Sequence, residues 1–167
     1  MAFRLEPEGP EDWWEVEALF DLSFAPGREA LSSYRLREGV DRVAPLCLLA
    51  RDEYGAVAGA IRFWPVLVGA AGAPALLLGP VAVHPTRQGE GIGALLIRES
   101  LGKARALGWR RVILVGDAPY YRRFGFAPAH GLQMPPPTNP DRVLVLELVP
   151  GAMSGVHGKV RRADTET

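Results

Sequence analysis

Three glycines alternate with other residues shortly after an apolar stretch of the chain. They are Gly89, Gly91 and Gly93, and the apolar stretch ends at Val83. Glycine lets a ligand approach the backbone closely and tolerates a positive φ angle. The residues that follow predict a helix, whose first turn presents unpaired N–H groups and a partial positive charge. The spacing therefore indicates an anion site, most naturally for a phosphate or diphosphate. The alternative is a loop whose glycines serve only a tight turn.

Three types of phosphate loop can be compared with this segment. A Walker loop requires Gly-Lys followed by Ser or Thr, whereas Gly93 is followed by Ala94. A dinucleotide-binding loop requires G-x-G-x-x-G or A, which Gly89–Ala94 satisfies, and Asp117 is a candidate for its ribose-binding acid. In that fold the glycines directly follow the strand, whereas residues 84–88 intervene here. A nicotinamide-dependent oxidoreductase is therefore the weaker alternative.

The third type matches in residue order as well as in spacing. The segment Gln88–Gly93 fits Q/R-x-x-G-x-G/A, and the later segment Tyr121–Phe126 fits Y-x-x-x-G-F. On these two motifs the sequence resembles the GNAT superfamily of N-acetyltransferases, over roughly residues 76–126. The resemblance implies a single-domain α/β fold with a mixed, mostly antiparallel sheet flanked by helices. It also implies acetyl-CoA as the co-substrate and a primary amine as the acetyl acceptor.

The resemblance further implies where coenzyme A binds. The glycine segment is expected to hold the diphosphate, and a splayed strand before it the pantetheine. Arg122 and Arg123, with Arg87 or Lys103, are candidates for contacts with phosphate oxygens, and of these we select Arg123. The predicted cofactor-binding residues are Val81, Ala82, Val83, Gln88, Gly89, Glu90, Gly91, Ile92, Gly93, Ala94 and Arg123.

Pro80 lies just before the proposed pantetheine-binding residues. It has no N–H group, so a strand over 75–83 cannot keep a continuous hydrogen-bond ladder there. A break would turn N–H groups around Val81–Val83 towards a thioester, where they would stabilise the oxyanion of acyl transfer. We predict that the Val83 amide, or a near neighbour, faces the acetyl carbonyl. The alternative is an ordinary proline at a sheet edge.

The thiolate of departing coenzyme A needs a proton. The superfamily motif implies Tyr121 as the general acid, with the adjacent Tyr120 as the alternative. A thiol has a pKa of about 8.5 and tyrosine one of about 10, a gap that nearby positive charge can offset. A purely structural role, packing a short helix onto the sheet, is the other possibility for Tyr121.

The general base is less well defined. Many members of the superfamily carry a glutamate on the strand that here includes Leu76–Val81, and this segment has no carboxylate. The proton of the attacking amine would then be removed through water, by Asp21, His84 or Asp117. Of these three, we expect His84 to have a structural role. Cys47 is expected to be a buried small hydrophobe, so direct attack by the amine is predicted. The three histidines show no metal-ligand spacing, and no metal is expected.

The elements that must position these residues follow from periodicity and from turn residues. The uncharged stretch 63–83 contains three prolines and three glycines, which favours two strands and a turn over a membrane span. A strand, a long helix and a strand over 75–115 predict a right-handed parallel crossover. Strands are expected at 3–7, 46–51, 56–68, 75–83, 110–115 and 143–148, and helices from Pro10, at 28–38, at 91–107 and after Asp117.

Composition and charge exclude several function classes. The 167 residues include 19 basic and 19 acidic side chains and one cysteine, which disfavours nucleic-acid binding, membrane binding and a disulfide framework. No signal peptide is expected, so a cytoplasmic protein is predicted, and monomer and homodimer both remain open. The net charge is −6 up to Glu53 and +6 beyond it. This asymmetry suggests an acidic lobe that attracts a cationic amine.

The sequence therefore predicts an acetyl-CoA-dependent N-acetyltransferase whose acceptor is a small-molecule or peptide amine. We expect the acetyltransferase domain to span 1–150, and 151–167 to be a mobile tail or an edge strand. A non-catalytic acyl-CoA sensor is the second alternative, supported by the missing strand carboxylate.

Overall fold

The computed structural model describes residues 3–23 and 32–163 of the chain. The helices are α1 (Trp13–Ser23), α2 (Ser32–Arg35), α3 (Ile92–Ala106) and α4 (Ala118–Tyr121). The strands are β1 (Arg4–Pro7), β2 (Leu48–Arg51), β3 (Val57–Val68), β4 (Ala73–Val83), β5 (Arg111–Val115), β6 (Ala127–Pro128), β7 (Leu132–Gln133), β8 (Val143–Glu147) and β9 (Gly158–Arg162).

The strands form one mixed sheet in the order β1-β2-β3-β4-β5-β8-β6. Every pair along this path is antiparallel except β4 with β5, which run parallel. The long strand β3 also pairs through Val66–Val68 with β9, which in turn pairs with β7. The mixed, mostly antiparallel sheet predicted from the sequence is confirmed. It excludes the dinucleotide-binding alternative, because that fold requires a mostly parallel sheet.

Helix α3 connects β4 to β5 and thereby produces the parallel pair. Its apolar stripe, which includes Leu96, Ile97 and Leu101, is buried against one face of the sheet, while Arg98 and Arg105 remain exposed. Helix α1 covers the other face through Val16, Leu19 and Phe20. Burial of such apolar side chains on both faces is the main stabilising contribution to this fold.

Some element boundaries differ from those expected. Strand β2 begins at Leu48 rather than at 46, because Ala44–Leu46 forms a 3₁₀ turn around Pro45. Of the helix expected at 28–38, the described part is helical over Ser32–Arg35, and residues 24–31 lie outside the described residues. The short strand β6 (Ala127–Pro128), which was not expected from the sequence, pairs with the outer edge of β8.

A buried group of charges joins β1, β3 and α1. The Arg62 side chain, in the middle of β3, is fully buried, and its Nη2 lies 2.8 Å from a carboxylate oxygen of Glu8, which is also fully buried. Glu17 on α1 accepts a hydrogen bond from Nη1, and the Trp13 ring lies 4.1 Å from the guanidinium carbon. Because an unpaired buried charge is costly, this network requires all of these elements to assemble together.

Candidate active site

Strands β4 and β5 separate towards their carboxyl ends. They pair only at Leu76–Val112 and Leu77–Ile113. Beyond this point the register of β4 against β3 shifts, because Gly79 and Pro80 together oppose the single residue Arg62. Pro80 has no N–H to donate, and Gly79 has a φ of 129°, a value that favours glycine. The last residues of β4 therefore border an open gap.

The backbone of β4 directs two N–H groups into this gap. The N–H of His84 donates to the carbonyl of Ala58 at 2.8 Å, so these two residues form a hydrogen-bonded pair. Such pairs alternate along an antiparallel ladder. The N–H of Ala82 therefore faces β3, while those of Val81 and Val83 face away from β3. The Gln88 side chain donates to the Val83 carbonyl at 3.0 Å and ties the end of the strand to the following loop.

The glycine segment ends the loop between β4 and α3. Gly89 and Gly91 have φ angles of 85° and 79°, and Gly91 is the N-cap of α3 without any side-chain cap. The N–H groups of Ile92, Gly93 and Ala94 have no acceptor within the helix because they belong to its first turn. The Ile92 side chain is buried in the core, so this residue offers a ligand only its backbone.

Two adjacent tyrosines lie at the end of α4. The Tyr120 and Tyr121 rings meet edge to face with their centroids 5.0 Å apart. A Cβ atom on Gly116 would lie 2.7 Å from the Tyr121 ring, so glycine is required there for the ring to fit. Burial raises the pKa of Tyr121 to about 12, and nearby Arg142 offsets only part of this effect. The net shift is opposite to the lowering expected from local positive charge.

Two adjoining clefts border these residues. The first, the loop-side cleft, has a volume of about 280 Å³ and is lined by Gln88 and Gly93. The second, the main cleft, has a volume of about 450 Å³ and extends between β4 and β5. Val81, Tyr120 and Tyr121 line both clefts. These three residues therefore mark the junction between the anion-binding loop and the gap.

The basic residues proposed for phosphate contacts occupy different surroundings. Arg123 is exposed, its Nε donates to the Tyr120 carbonyl, and its guanidinium lies 4.4 Å from the Tyr120 ring centroid. Arg87 instead forms ion pairs with Asp52 and Glu53, at 3.0 and 2.6 Å. Lys103 lies in the last turn of α3, far along the helix from the glycine segment. Arg123 thus contacts Tyr120 directly, and Arg122, which follows Tyr121 in the chain, is exposed as well.

Glu90 is an unexpected feature of the predicted phosphate loop. Its carboxylate lies 3.7 Å from Nη1 of Arg87. A carboxylate would repel a diphosphate, so only the backbone of Glu90 is suited to the predicted role. Arg87 also pairs with Asp52 and Glu53, so its single positive charge is shared among three carboxylates and offsets only part of the charge of Glu90.

The acidic N-terminal segment, residues 5–27, contains seven carboxylates and no lysine or arginine, and most of these carboxylates form ion pairs with arginines from other parts of the chain. Arg51 forms ion pairs with Glu6, Asp12 and Glu15, while Arg62 pairs with Glu8 and Glu17. At least five of these seven carboxylates therefore have an arginine partner within residues 3–23 and 32–163. Two arginines carry fewer charges than five carboxylates, so the segment stays net negative, but these carboxylates are held by arginines and are less available to bind a cationic acceptor directly.

The three candidates for proton removal are placed differently. Asp117 lines the main cleft and caps α4 by accepting a hydrogen bond from the N–H of Tyr120. His84 uses its Nδ1 to accept from the N–H of Thr86 and so stabilises the turn at Pro85–Arg87. Neither His84 nor Asp21 lines either cleft.

Cys47 is buried, and burial raises the pKa of its thiol to about 11. The thiol is therefore protonated at neutral pH and a poor nucleophile. Within residues 3–23 and 32–163 no cluster of three or more His, Cys, Asp or Glu residues is suited to hold a metal ion. Across the same residues, every helix is too short or too polar to span a membrane.

Three residues near the gap were not anticipated from the sequence. Arg142 and Tyr34 line the main cleft, and Arg62 lies opposite its Gly79–Pro80 edge. The sequence does contain a signal for Arg62, because it is the one charged residue within the apolar run of β3, and a buried charge requires a buried partner. Arg142 and Tyr34 carry no comparable signal, because only the fold brings their segments to the cleft.

Comparison with known proteins agrees with this architecture. The model of the acetyltransferase (GNAT) family matches residues 13–126. The uncharacterized N-acetyltransferase YhbS of Escherichia coli strain K12 is 34% identical over 162 residues, which cover 96% of this chain and 95% of YhbS.

Two solved structures are also similar. The E. coli YhbS structure, determined in complex with CoA, has a TM-score of 0.83 and 32% identity, covering 96% of this chain and 89% of that one. A GNAT family acetyltransferase from Brucella melitensis, in complex with acetyl-CoA, has a TM-score of 0.66 and 34% identity, covering 89% and 90%. With the family model matching most of its length and this fold, the chain belongs to the GNAT family of N-acetyltransferases.

Proposed function

We propose that the protein transfers the acetyl group of acetyl-CoA to a primary amine at the junction of the two clefts. The observation that carries this proposal is the convergence of three features there. The N–H groups of Val81 and Val83, the first turn of α3 and the Tyr121 ring all border the adjoining clefts. The E. coli relative bound to CoA and the Brucella relative bound to acetyl-CoA support this choice of co-substrate.

The residues of the loop fit a diphosphate. Exposed Gly89 and Gly91 leave open space above the backbone, since a Cβ atom on either would meet nothing within 4 Å. The N–H groups of Ile92, Gly93 and Ala94 would donate to the phosphate oxygens, favoured by the positive end of the helix dipole. Arg123 is positioned to add a charged contact from the side of α4. Val81 and Val83 would bind the pantetheine and the acetyl carbonyl.

The acyl transfer assigns a role to each group at the junction. The amine nitrogen forms a bond to the acetyl carbon, and the N–H of Val83 stabilises the oxyanion that results. The carbon–sulfur bond then breaks, and Tyr121 donates its hydroxyl proton to the departing thiolate. A pKa of about 12 keeps Tyr121 protonated at neutral pH, but it also makes Tyr121 a weaker acid than a thiol by about 3.5 pKa units. The proton transfer therefore depends on a thiolate that is itself desolvated in the cleft, since burial raises the pKa of a thiol as well. The products are an acetamide and the free thiol of coenzyme A.

The attacking amine must also lose a proton. An alkylammonium group has a pKa of about 10, so at neutral pH most of the acceptor is protonated. Asp117 is our candidate acceptor of this proton, directly or through water, because among the three carboxylate and imidazole candidates it alone lines the main cleft. A second proton leaves the nitrogen after its bond to the acetyl carbon has formed. One of these two protons replaces, through solvent, the proton that Tyr121 donated, and the other is released to solvent.

The direct test is an assay of coenzyme A release with a panel of primary amines, together with calorimetry of coenzyme A binding. We expect binding without an acceptor, and thiol release that depends on the amine. The buried Cys47 thiol should react slowly with a thiol reagent, so it should not obscure the released product. Binding without turnover across the panel would instead support a non-catalytic acyl-CoA sensor.

A further inference from the structure

The main cleft has a charged end that faces away from the phosphate-binding loop. Asp117, Arg142 and Tyr34 line the main cleft but not the loop-side cleft. Gln88 and Gly93 line only the loop-side cleft, and Val81 with the two tyrosines lies between the two groups. If coenzyme A enters from the loop and reacts at this junction, the charged end is the space left for the acceptor.

Arg142 supplies the positive charge at this end. It is exposed, and among the described residues that line the main cleft it is the one lysine or arginine. Its guanidinium makes no ion pair with a carboxylate in residues 3–23 or 32–163, whereas Arg51, Arg62 and Arg87 all do. A cationic group that lines a cleft without a carboxylate partner of its own attracts anions into that cleft.

The backbone of Arg142 is held firmly at the cleft wall. Its carbonyl accepts a hydrogen bond from the N–H of Gly116 at 2.9 Å, and the next residue, Val143, pairs with Val115 of β5. On the other side, the Asn139 side chain caps the turn Pro140–Arg142. The guanidinium is therefore attached to a fixed point at the carboxyl end of β5, beside Asp117.

We infer that the acceptor amine also carries a carboxylate, as a free amino acid does, and that Arg142 binds this carboxylate. The inference rests on the proposed acetyl transfer and specifies its substrate class. A guanidinium binds a carboxylate through two parallel hydrogen bonds, which gives orientation as well as affinity. With Asp117 in the same wall, the cleft presents one group for an ammonium and one for a carboxylate.

This acceptor class differs from the cationic amine that the acidic N-terminal segment suggested. Most of the carboxylates in that segment are paired with Arg51 or Arg62. Among residues 3–23 and 32–163, the charged side chains that line the main cleft are those of Asp117 and Arg142. A zwitterionic acceptor matches both of them, whereas an amine without an anionic group leaves Arg142 unpaired.

The test compares acceptors that are matched except at the carboxylate, with kcat/KM calculated for the unprotonated amine, because the α-amine of leucinamide has a lower pKa than that of leucine. Leucine and leucinamide form one pair, and 4-aminobutyrate and butylamine the other. We expect the wild-type kcat/KM to favour the carboxylate member of at least one pair, and Arg142→Gln to reduce that preference by roughly 10- to 100-fold. Arg142→Lys keeps the charge and loses the bidentate geometry, so it should retain part of the preference. Arg105→Gln removes an exposed arginine from the outer face of α3 and serves as the matched control.

Each other outcome has a definite meaning. An equal loss of kcat/KM for both members of a pair, or a wild-type preference for the uncharged member in both pairs, overturns the inference and leaves the acetyl transfer standing. A weaker affinity of Arg142→Gln for coenzyme A also overturns it, since Arg142 would then bind the cofactor. Calorimetric binding of coenzyme A with no turnover of any acceptor overturns the proposed transfer itself, and the inference with it.

Discussion

At the scale of single residues, the two tyrosines of α4 have different surroundings although they are adjacent. Tyr121 packs edge to face on Phe126 and fills the space left by Gly116, and its pKa is raised to about 12 by burial. The Tyr120 hydroxyl instead lies 3.6 Å from the position of a Cβ atom on Gly93, beside the first turn of α3. Both rings line both clefts, but the Tyr120 hydroxyl lies beside the start of α3 whereas the Tyr121 ring is packed against Gly116 and Phe126.

We predict that Tyr121→Phe lowers kcat about 100-fold, because the departing thiolate then lacks its proton donor. The KM for acetyl-CoA should change little, since the phenyl ring keeps its packing. Initial rates at saturating acceptor measure this effect. The activity of the wild type should not decline between pH 8 and pH 10.5, because an acid loses its proton only near its own pKa, here about 12.

The matched control for this prediction is Tyr120→Phe. It removes the hydroxyl that lies near Gly93 and should raise the KM for acetyl-CoA more than it lowers kcat. The reverse result, with kcat lost in Tyr120→Phe and kept in Tyr121→Phe, would transfer the role of general acid to Tyr120.

At the scale of elements, the backbone geometry at the junction between the loop and α3 explains why Gly91 and Gly93 should respond differently to substitution by alanine. Gly91 is the N-cap with a φ of 79°, which any larger residue adopts only with strain. Gly93 has helical backbone, and a Cβ atom there would meet Val83 Cγ2 and the Tyr120 hydroxyl at 3.5 and 3.6 Å, ordinary contact distances. This geometry explains why the motif Q/R-x-x-G-x-G/A requires glycine at the position of Gly91 but accepts glycine or alanine at the position of Gly93.

We predict opposite effects of alanine at these two positions. Gly91→Ala should destabilise the protein by about 1–2 kcal/mol through strain at positive φ and should weaken coenzyme A binding. Gly93→Ala should keep coenzyme A binding and stabilise the helix by up to about 1 kcal/mol, because alanine is the better helix former. Urea unfolding and calorimetry measure both quantities. Loss of binding in Gly93→Ala alone would contradict the proposed position of the diphosphate.

At the scale of the whole molecule, the buried charges of Glu8, Glu17 and Arg62 connect β1, α1 and β3. Arg62 sits where the register of β3 against β4 shifts, directly opposite Gly79 and Pro80. Arg42 contributes a further ion pair to Glu8 at 3.3 Å. The site thus lies beside a network that crosses the sheet and holds α1 in place.

We predict that Arg62→Met lowers the free energy of unfolding by about 3–5 kcal/mol, since it leaves Glu8 buried with only the partly exposed Arg42 as partner. Urea unfolding measures the loss. The double variant Arg62→Met, Glu8→Leu should recover much of it, because an apolar pair of similar volume avoids the buried charge. A loss below about 1 kcal/mol in Arg62→Met would show that the network contributes little.

The sequence predicted much of the architecture because its signals are local. Glycines at Gly91 and Gly108 mark the limits of α3, and alternating apolar runs mark β3 and β4. Predicted element boundaries were wrong where another local structure forms instead. The 3₁₀ turn around Pro45, for example, makes β2 begin later than expected. The edge pairing of β6 was missed because two residues carry no periodicity.

The candidate site likewise has features that the sequence predicts and features that depend on the fold. Its backbone elements, the interrupted strand at Pro80 and the glycine-rich helix start, are consequences of residue types and can be predicted from them. The raised pKa of Tyr121, the ion pairs of the acidic segment and the placement of Arg142 depend on neighbours from distant parts of the chain. Sequence alone determined which backbone groups are free to bind a ligand, because proline, glycine and helix ends control hydrogen bonding locally. Only the tertiary structure decided which charges surround that ligand, because burial and ion pairing are properties of the packed chain.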